Sequence, residues 1–301
     1  MLLSIALLCV TAVVLVFLLR TLLNPLNELA GAAAGVKTDS LVFHPPASAL
    51  RLRELAPLAE ALSATISRLR LAFEMQHQFI NDAAHELKTA VAVVRSTVQV
   101  LSMRNRTVDE YRRGLNQILS DNMRVEELIA RMLTLARFNE RTELPKVKID
   151  FAEHVQQAVE KLGSFSEARG VLLKFDAAAE VTVNLAPEAA HILASNLVMN
   201  AIQHSKSGTE VRVSVSALRR DAGERRAILV VQDFGCGIDA RNLPKVFDRF
   251  FREDPSRSRE SGGVGLGLAI CKSIVEAADG MIEIESVLGM GTTVTASFPL
   301  A

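Results

Sequence analysis

The sequence predicts a multidomain chain with a transmembrane helix, a helical hairpin that forms a dimeric four-helix bundle, and a C-terminal α/β sandwich. Three observations support this prediction. An uncharged apolar run begins at Leu2, apolar heptads occupy the middle of the chain, and strand-like runs alternate with helical stretches after Pro145. At 301 residues, the chain is long enough for about two folding units and their connections.

Charge and composition exclude two kinds of binding surface. The 34 Lys and Arg side chains balance 34 Asp and Glu side chains, so no generally basic surface is predicted and we expect no direct nucleic acid binding. The chain has no Trp and one Tyr, which argues against aromatic platforms for bases or sugars. Its cysteines, Cys9, Cys236 and Cys271, lack metal-ligand spacing and fit a reducing compartment.

The N-terminal run predicts a single transmembrane helix at residues 1–19. No charged residue occurs from Leu2 to Leu19, and these 18 residues as a helix rise about 27 Å, nearly the hydrocarbon thickness of a bilayer. A signal peptide would begin with basic residues, and a buried core helix would have a polar face, but the run has neither. Because Arg20 follows the run, we expect residues 2–19 to contact membrane lipid and the remaining chain to be cytoplasmic.

Residues 20–70 predict two short amphipathic helices joined by an extended connector at 36–50. The first helix has Pro25 near its start. The second carries apolar side chains at spacings of three and four, at Leu55, Leu58, Leu62, Ile66, Leu69 and Phe73. With its Pro25-Leu26 and Glu54-Leu55 pairs, this segment resembles the HAMP relay module.

Residues 71–141 predict a helical hairpin. The first helix has an apolar heptad seam of Ile80, Ala84, Leu87, Val91, Val94, Val98 and Leu101. A loop is expected at 102–107, and a second helix at about 108–139. Its seam consists of Tyr111, Leu115, Ile118, Asn122, Val125, Ile129, Met132 and Ala136. Because one hairpin alone would leave much of this apolar surface in water, we expect a homodimer with a four-helix bundle.

Residues 145–301 predict an α/β sandwich of about 155 residues, which is large enough for its own core. The predicted strands are Val171–Phe175, Val211–Val215, Ile228–Val231, Ile282–Glu285 and Thr292–Phe298. The predicted helices lie near 151–168, 187–204 and 266–278.

Three reactive side chains lie on the first seam helix. With Ala84 at heptad position a, His85, Glu86 and Thr89 fall at positions b, c and f and face away from the bundle axis. A neutral imidazole is a competent nucleophile near pH 7, and an adjacent carboxylate can accept its proton. A histidine beside an apolar seam more often only packs, but this neighbourhood favours a catalytic group.

The segment FINDAAHELKT closely resembles the phospho-acceptor box of sensor histidine kinases. The resemblance implies that His85 is phosphorylated, that Glu86 is the general base, and that Thr89 helps to hydrolyse the phosphorylated response regulator. Ala90 stands where that family usually has a proline. Since proline bends a helix, we expect a straighter helix here and an altered balance of kinase and phosphatase activity.

The α/β region carries motifs typical of nucleotide binding. Asn196 and Asn200 lie one helical turn apart, so their amide oxygens can hold Mg²⁺ together with phosphate. In DFGCGI, Asp233 can accept a hydrogen bond from an exocyclic amine, and Gly235 and Gly237 let backbone approach a flat base. A glycine-rich run, with Gly262, Gly263, Gly265 and Gly267, opens a helix and offers amide donors to phosphate.

In this order the motifs resemble the nucleotide boxes of the same histidine kinases, with the Bergerat-type ATP-binding fold shared with gyrase and heat-shock protein 90. The resemblance implies that Asn200 binds Mg²⁺ with help from Asn196, that Asp233 selects adenine, and that the glycines form a lid over ATP. The implied nucleotide-binding residues are Asn196, Asn200, Asp233, Gly235, Gly237, Phe247, Arg249, Phe250, Arg252, Gly263, Gly265, Leu266 and Gly267. Gln203 replaces a basic residue frequent in that family, and Lys206 can take over its phosphate contact.

The resemblance implies a kinase of the inner (plasma) membrane that phosphorylates His85 from Mg·ATP and passes the phosphoryl group to an aspartate of a separate response regulator. In that family two membrane spans usually flank an outer sensor domain, and residues 2–19 correspond to the second. Two alternatives stay open. A hydrolytic ATPase of the gyrase type is disfavoured because Asn196 replaces the glutamate that activates water. A phosphatase-biased regulator is favoured by Ala90 and Gln203.

Overall fold

The computed structural model describes residues 2–37, 41–139, 146–178, 181–219, 225–253 and 264–301. The chain divides into two compact units, residues 1–84 and 85–301.

The first unit contains α1 (Leu2–Ala34), α2 (Ala47–Arg51) and the start of α3 (Ala56–Ser102). The side chains of Leu29, Ala49 and Ala59 form a small buried cluster, against which Phe43 and Leu55 pack. Ser48 Oγ donates a hydrogen bond to the Glu28 carboxylate. These contacts join α1, the connector and α3 into one local core.

Two predicted boundaries fall inside continuous helices. The structure has one helix from Leu2 to Ala34, with Pro25 inside it, where the sequence predicts a domain boundary between residues 19 and 20. Likewise, α3 continues through residues 70 and 71. Proline removes a single backbone donor, and the structure accommodates that loss within α1.

Within the segments that the structure describes, no helix combines the length and the apolar character needed to cross a membrane. The predicted transmembrane helix at 1–19 is therefore not confirmed.

The predicted hairpin is confirmed by α3 and α4 (Val108–Asn139), with the turn where it was expected. Thr107 and Glu110 cap α4 reciprocally: the Thr107 N–H donates to Glu110 Oε2 at 2.8 Å, and the Glu110 N–H donates to Thr107 Oγ1 at 3.3 Å. Near the turn, Gly114 lets α4 approach the Leu101 side chain closely, because a Cβ atom at position 114 would lie 2.4 Å from Leu101 Cδ2.

The α/β region, residues 147–299, contains seven strands within its described residues. They are β1 (Val147–Asp150), β2 (Leu172–Ala177), β3 (Thr182–Leu185), β4 (Glu210–Arg219), β5 (Arg225–Asp233), β6 (Met281–Val287) and β7 (Gly291–Pro299). Five strands form the main sheet, in the order β2-β4-β5-β7-β6, with β2 parallel to β4 and the other neighbours antiparallel. Strands β1 and β3 form a separate antiparallel pair. The five predicted strands are confirmed, whereas β1 and β3 were not predicted.

Helices cover one face of the main sheet. They are α5 (Phe151–Lys161), α6 (Gly163–Ala168), α7 (Pro187–His204) and α8 (Gly267–Ala277). The predicted helix at 151–168 is two helices, because the chain turns at Leu162. The core between the layers includes Phe151 and Phe298, whose rings meet edge to face with centroids 5.3 Å apart.

Candidate active site

His85 lies on the exposed side of α3. Thr89, one turn later, is also exposed, and its hydroxyl donates to the His85 carbonyl oxygen at 2.9 Å. The neighbouring Glu86 is half-buried. The imidazole is therefore open to an incoming phosphoryl group, with a carboxylate beside it in sequence and a hydroxyl on the next turn.

Asp233, the last residue of β5, is held rigidly. Its side chain is 7% exposed, and Oδ1 accepts hydrogen bonds from the N–H groups of Gly235 at 2.9 Å and Thr292 at 3.2 Å. Burial raises the pKa of Asp233, although these two hydrogen bonds and the charge of His204 act in the opposite direction. A fixed carboxyl group at a strand end can recognise a single amine of a flat base.

The loop after Asp233 packs tightly against its surroundings. The Cys236 N–H donates to the His204 carbonyl at the end of α7, at 3.2 Å. Gly237 has φ +63°, and a Cβ atom there would lie 2.1 Å from the Val287 carbonyl oxygen. Only glycine fits this position, so the loop backbone is fixed between α7 and the turn that follows β6.

Asn196 and Asn200 both face the first turn of α8. A Cβ atom placed on Gly267 would lie 3.4 Å from Asn196 Oδ1 and 3.6 Å from Asn200 Nδ2. Both asparagines are half-buried on α7. The structure thus joins two predicted motifs, the asparagine pair and the glycine-rich helix start, at one place.

The glycine-rich segment is anchored to the Phe-rich segment before it, residues 247–251. The Phe250 N–H donates to the Gly265 carbonyl oxygen at 2.9 Å, and both residues have positive φ, +59° and +75°. Leu266 is fully buried immediately before α8, and Phe247 is half-buried. Gly263 and Gly262 lie outside the described residues.

Arg249 and Arg252 are half-buried, and burial lowers the pKa of both guanidinium groups. The shift at Arg252 is opposed by the negative charge of Glu86 on α3 and increased by the positive charge of Arg124 on α4. Arg252 therefore lies within electrostatic range of the residue next to His85 in the same chain.

The residues present fit Mg·ATP. No three His, Cys, Asp or Glu side chains gather to hold a metal in the part of the chain that the structure describes, but a phosphate-bound Mg²⁺ needs only a few protein oxygens. Asn196 Oδ1 offers such an oxygen beside the start of α8, where the helix dipole and free amides favour phosphate. The buried carboxyl of Asp233 offers an acceptor for the amine of a base.

Two sets of residues were missed by the sequence analysis. Thr292 fixes the Asp233 carboxyl, and β7 carries it there because Asp233 and Thr292 are partners across the β5–β7 pair. No local motif marks it. The second set is on α4, where Leu128, Leu135 and Phe138 are almost fully buried and α4 packs against α8. Their spacing of seven and three was a detectable signal.

Two family models match parts of the chain. Residues 75–141 match the family model of the His Kinase A (phospho-acceptor) domain, and residues 186–301 match that of the Histidine kinase-, DNA gyrase B-, and HSP90-like ATPase. Neither model includes the predicted relay segment at 20–70.

Two curated relatives are named as sensor proteins. Sensor protein IrlS of Burkholderia pseudomallei is 30% identical over 278 residues, which cover 92% of this chain and 58% of that protein. Sensor-like histidine kinase SenX3 of Mycolicibacterium smegmatis is 33% identical over 226 residues, which cover 74% of this chain and 57% of that protein. The chain thus spans less than three fifths of the length of these relatives.

Solved structures show the same fold. The Acinetobacter baumannii histidine kinase AdeS superposes with a TM-score of 0.57 at 19% identity, covering 72% of this chain and 98% of that one. Full-length ShkA, solved in complex with AMPPNP, gives a TM-score of 0.52 at 19% identity, covering 75% of this chain and 46% of that one. The chain therefore carries a phospho-acceptor domain followed by an ATPase domain, the two domain families of histidine kinases, and relatives named as sensor kinases align along most of its length.

Proposed function

We propose that this chain transfers the γ-phosphoryl group of Mg·ATP to His85 and then to an aspartate of a response regulator. The observation that carries the proposal is the exposed His85 inside the phospho-acceptor match, in the same compact unit as an ATPase domain whose motifs converge around Asn196 and Gly267. The reaction is an in-line attack of the imidazole on phosphorus, and ADP leaves. Catalysis comes mainly from positioning and charge neutralisation.

In this proposal, Glu86 accepts the imidazole proton and keeps the ring nucleophilic, since it is half-buried beside His85. Thr89 orients water for hydrolysis of the phosphorylated regulator, which makes the chain a phosphatase as well. Its exposed hydroxyl, one turn after His85, supports this role.

Nucleotide binding is assigned to the α7–α8 side of the sheet. Asp233 binds the adenine amine, Asn196 and Asn200 bind Mg²⁺ and phosphate, and the amides before α8 bind the remaining phosphate oxygens. The fully buried Leu266 anchors that helix start, and the Phe250–Gly265 hydrogen bond anchors the segment that closes over ATP. Arg249 and Arg252 supply positive charge. The related ShkA was solved with an ATP analogue, which supports this assignment.

The proposal is tested by incubating the full chain, in detergent, with γ-labelled ATP and Mg²⁺. We expect acid-labile, alkali-stable label that is lost in His85→Gln. The matched control is His77→Gln, because His77 is also exposed on α3. Label that survives His85→Gln, or that depends equally on His77, contradicts the assignment of the phospho-acceptor.

A second candidate is a phosphatase-biased regulator. It is favoured by the uninterrupted course of α3 through Ala90, where the family usually has a helix-bending proline. In this case the unaltered chain dephosphorylates its regulator in a Thr89-dependent way and labels His85 only weakly, and Ala90→Pro raises the labelling. A hydrolytic ATPase instead turns over ATP in His85→Gln at the rate of the unaltered chain.

We propose a homodimer through the faces of α3 and α4 that are exposed in the single chain. Leu115 of the predicted seam is 61% exposed, and the seam residues Val91, Val98 and Ile129 are exposed as well. A second copy would cover these side chains in a four-helix bundle. The response regulator would then bind near His85, on the outer side of the bundle.

We also propose that residues 2–19 anchor the chain to the inner (plasma) membrane, with the catalytic part in the cytoplasm, and that residues 20–70 act as a HAMP-like relay. The described side chains from Ile5 to Phe17 are mostly large, apolar and at least half exposed. Alkaline carbonate extraction of membranes tests the anchor: we expect the full chain to stay in the membrane pellet, and release into the supernatant contradicts a transmembrane anchor.

A further inference from the structure

We propose that phosphoryl transfer occurs in cis, from the ATP bound to one chain to His85 of that same chain. This inference rests on the proposed function and specifies which copy in a dimer supplies the phosphate. It follows from how the ATPase domain packs on its own hairpin within residues 85–301.

The ATPase domain contacts α4 of its own chain through α8. Leu128, Leu135 and Phe138 lie on one stripe of α4 and are almost fully buried, although no second chain covers them. At the end of α4, Arg137 forms an ion pair with Glu188 at the start of α7, at 3.4 Å. An apolar stripe and a charge contact therefore hold the two domains together.

Along the hairpin, this contact extends to the level of the proposed phospho-acceptor, His85. The helices α3 and α4 are antiparallel, and Leu101 touches position 114 near the turn. Leu128 lies 14 residues after position 114 on α4, and Leu87 lies 14 residues before Leu101 on α3, so these two residues are at the same level along the hairpin. Leu87 is about half a helical turn from His85. The ATPase domain is thus packed beside the reactive histidine of its own chain.

At the same level along the hairpin, charged side chains of α3 and α4 interact with a side chain of the ATPase domain. The carboxylate of Glu86 and the guanidinium of Arg124 both act on Arg252, which lies between the Phe-rich segment and the glycine-rich segment. Arg252 of the ATPase domain therefore lies within electrostatic range of Glu86, the residue that follows His85 in the same chain.

The connection between the domains is short. Helix α4 ends at Asn139 and β1 begins at Val147, so the intervening chain spans at most about 28 Å even when extended. The domain consequently stays near the end of its own α4 during the catalytic cycle.

The test uses tagged full-length chains co-expressed and purified as mixed dimers in detergent. One mixed dimer pairs the unaltered chain with the double variant His85→Gln/Asp233→Asn. The other pairs His85→Gln with Asp233→Asn, so that each chain keeps one half of the reaction. In both, the tags give the two chains different sizes, and label from γ-labelled ATP is followed on each.

At an ATP concentration well below the dissociation constant of the unaltered chain, transfer in cis predicts label on the unaltered chain of the first dimer and about a tenth of that label or less anywhere in the second. Label in the second dimer on the Asp233→Asn chain, with none in the first, overturns the proposal, and so does comparable label in both. If only monomers are recovered, a labelling rate constant independent of protein concentration supports transfer in cis, and one proportional to concentration overturns it. Failure of the proposed function looks different, since the unaltered homodimer would then carry no label.

Discussion

In the proposed function, recognition of the nucleotide depends on a few individual side chains whose positions the backbone fixes. Asp233 is the clearest case, because the N–H groups of Gly235 and Thr292 both donate to one oxygen of its carboxylate, and the residue is buried. A carboxyl group in this position contributes a charged hydrogen bond to an amine, and such bonds are worth about 1.5–3 kcal/mol.

Asp233→Asn is therefore expected to weaken ATP binding by about 10- to 100-fold, as measured by calorimetric titration with Mg·ATP. The amide oxygen can still accept from Gly235 and Thr292, so the loop keeps its shape. The control is Asp239→Asn, which removes only a surface ion pair with Arg241. Equal affinities for the Asp233 variant and the unaltered chain would show that Asp233 does not contact the base.

The same carboxyl predicts a pH dependence of stability in the nucleotide-free protein. Because burial raises the pKa of Asp233 above its value of about 3.9 in an unfolded chain, the protonated form favours the fold. This stabilising contribution is complete below the unfolded value and is lost as pH rises through the raised value. Relative to Asp233→Asn, the unaltered protein should lose melting temperature over that pH interval. A constant difference between the two melting temperatures from pH 4 to pH 8 would contradict the shift.

Gly237 allows a second test at the residue scale. Both Gly237 and Gly208 have positive φ, but a Cβ atom collides with the Val287 carbonyl only at Gly237 and meets nothing within 4 Å at Gly208. Gly208→Ala should cost only the conformational strain, about 1–2 kcal/mol, whereas Gly237→Ala should cost more and also reduce ATP binding. Urea unfolding of both variants gives the comparison, and similar losses would contradict a tight packing of this loop.

At the scale of elements, the sequence predicts best where one stretch of chain carries its own signal. Four of the five strands of the main sheet, β4, β5, β6 and β7, are rich in β-branched residues, and α7 matches its predicted range of 187–204. Strands β1 and β3 have four residues each and pair mainly with one another, so neither run is long enough to be predicted as a strand from its own sequence.

The hairpin shows the limit of assigning a single seam. The heptads correctly predict α3, α4 and the turn, but α4 has a second apolar stripe with Leu128 and Leu135. Periodicity shows that a side chain is apolar and on a given face, whereas the partner of that face is decided by tertiary packing. For the same reason Asp233 could be predicted from its motif, while Thr292 could not.

The α4 stripe leads to a stability prediction for the domain contact. Leu135 is fully buried, so Leu135→Ala should destabilise the chain by about 2–5 kcal/mol, chiefly at the contact between α4 and α8. Hydrogen exchange by mass spectrometry should show faster exchange in both helices. Leu172→Ala, at an exposed position on β2, is the control and should leave both unchanged. Unaltered exchange in α8 of the Leu135 variant would show that the contact does not protect that helix.

At the scale of the whole molecule, the hairpin has two apolar surfaces. One packs against the ATPase domain, and the other is proposed to bind a second copy of the chain. One stripe of α4 is already covered by the ATPase domain of the same chain, whereas Tyr111, Leu115 and Ile129 of the predicted seam are exposed. A second copy can therefore bind the exposed seam without displacing the ATPase domain, which makes dimerisation compatible with transfer in cis.

Because the two surfaces are separate, a charge placed in the exposed seam should weaken dimerisation without abolishing phosphoryl transfer. Leu115→Glu places a carboxylate in the dimer seam, and burial of an unpaired charge should weaken dimerisation at least tenfold, as measured by sedimentation in detergent. Leu172→Glu is the control, since Leu172 is comparably exposed but lies on β2, outside the hairpin. If transfer occurs in cis, monomers of the Leu115 variant keep measurable labelling of His85, because the ATPase domain remains on its own α4. A Leu115 variant that stays fully dimeric would place the dimer interface elsewhere on the chain.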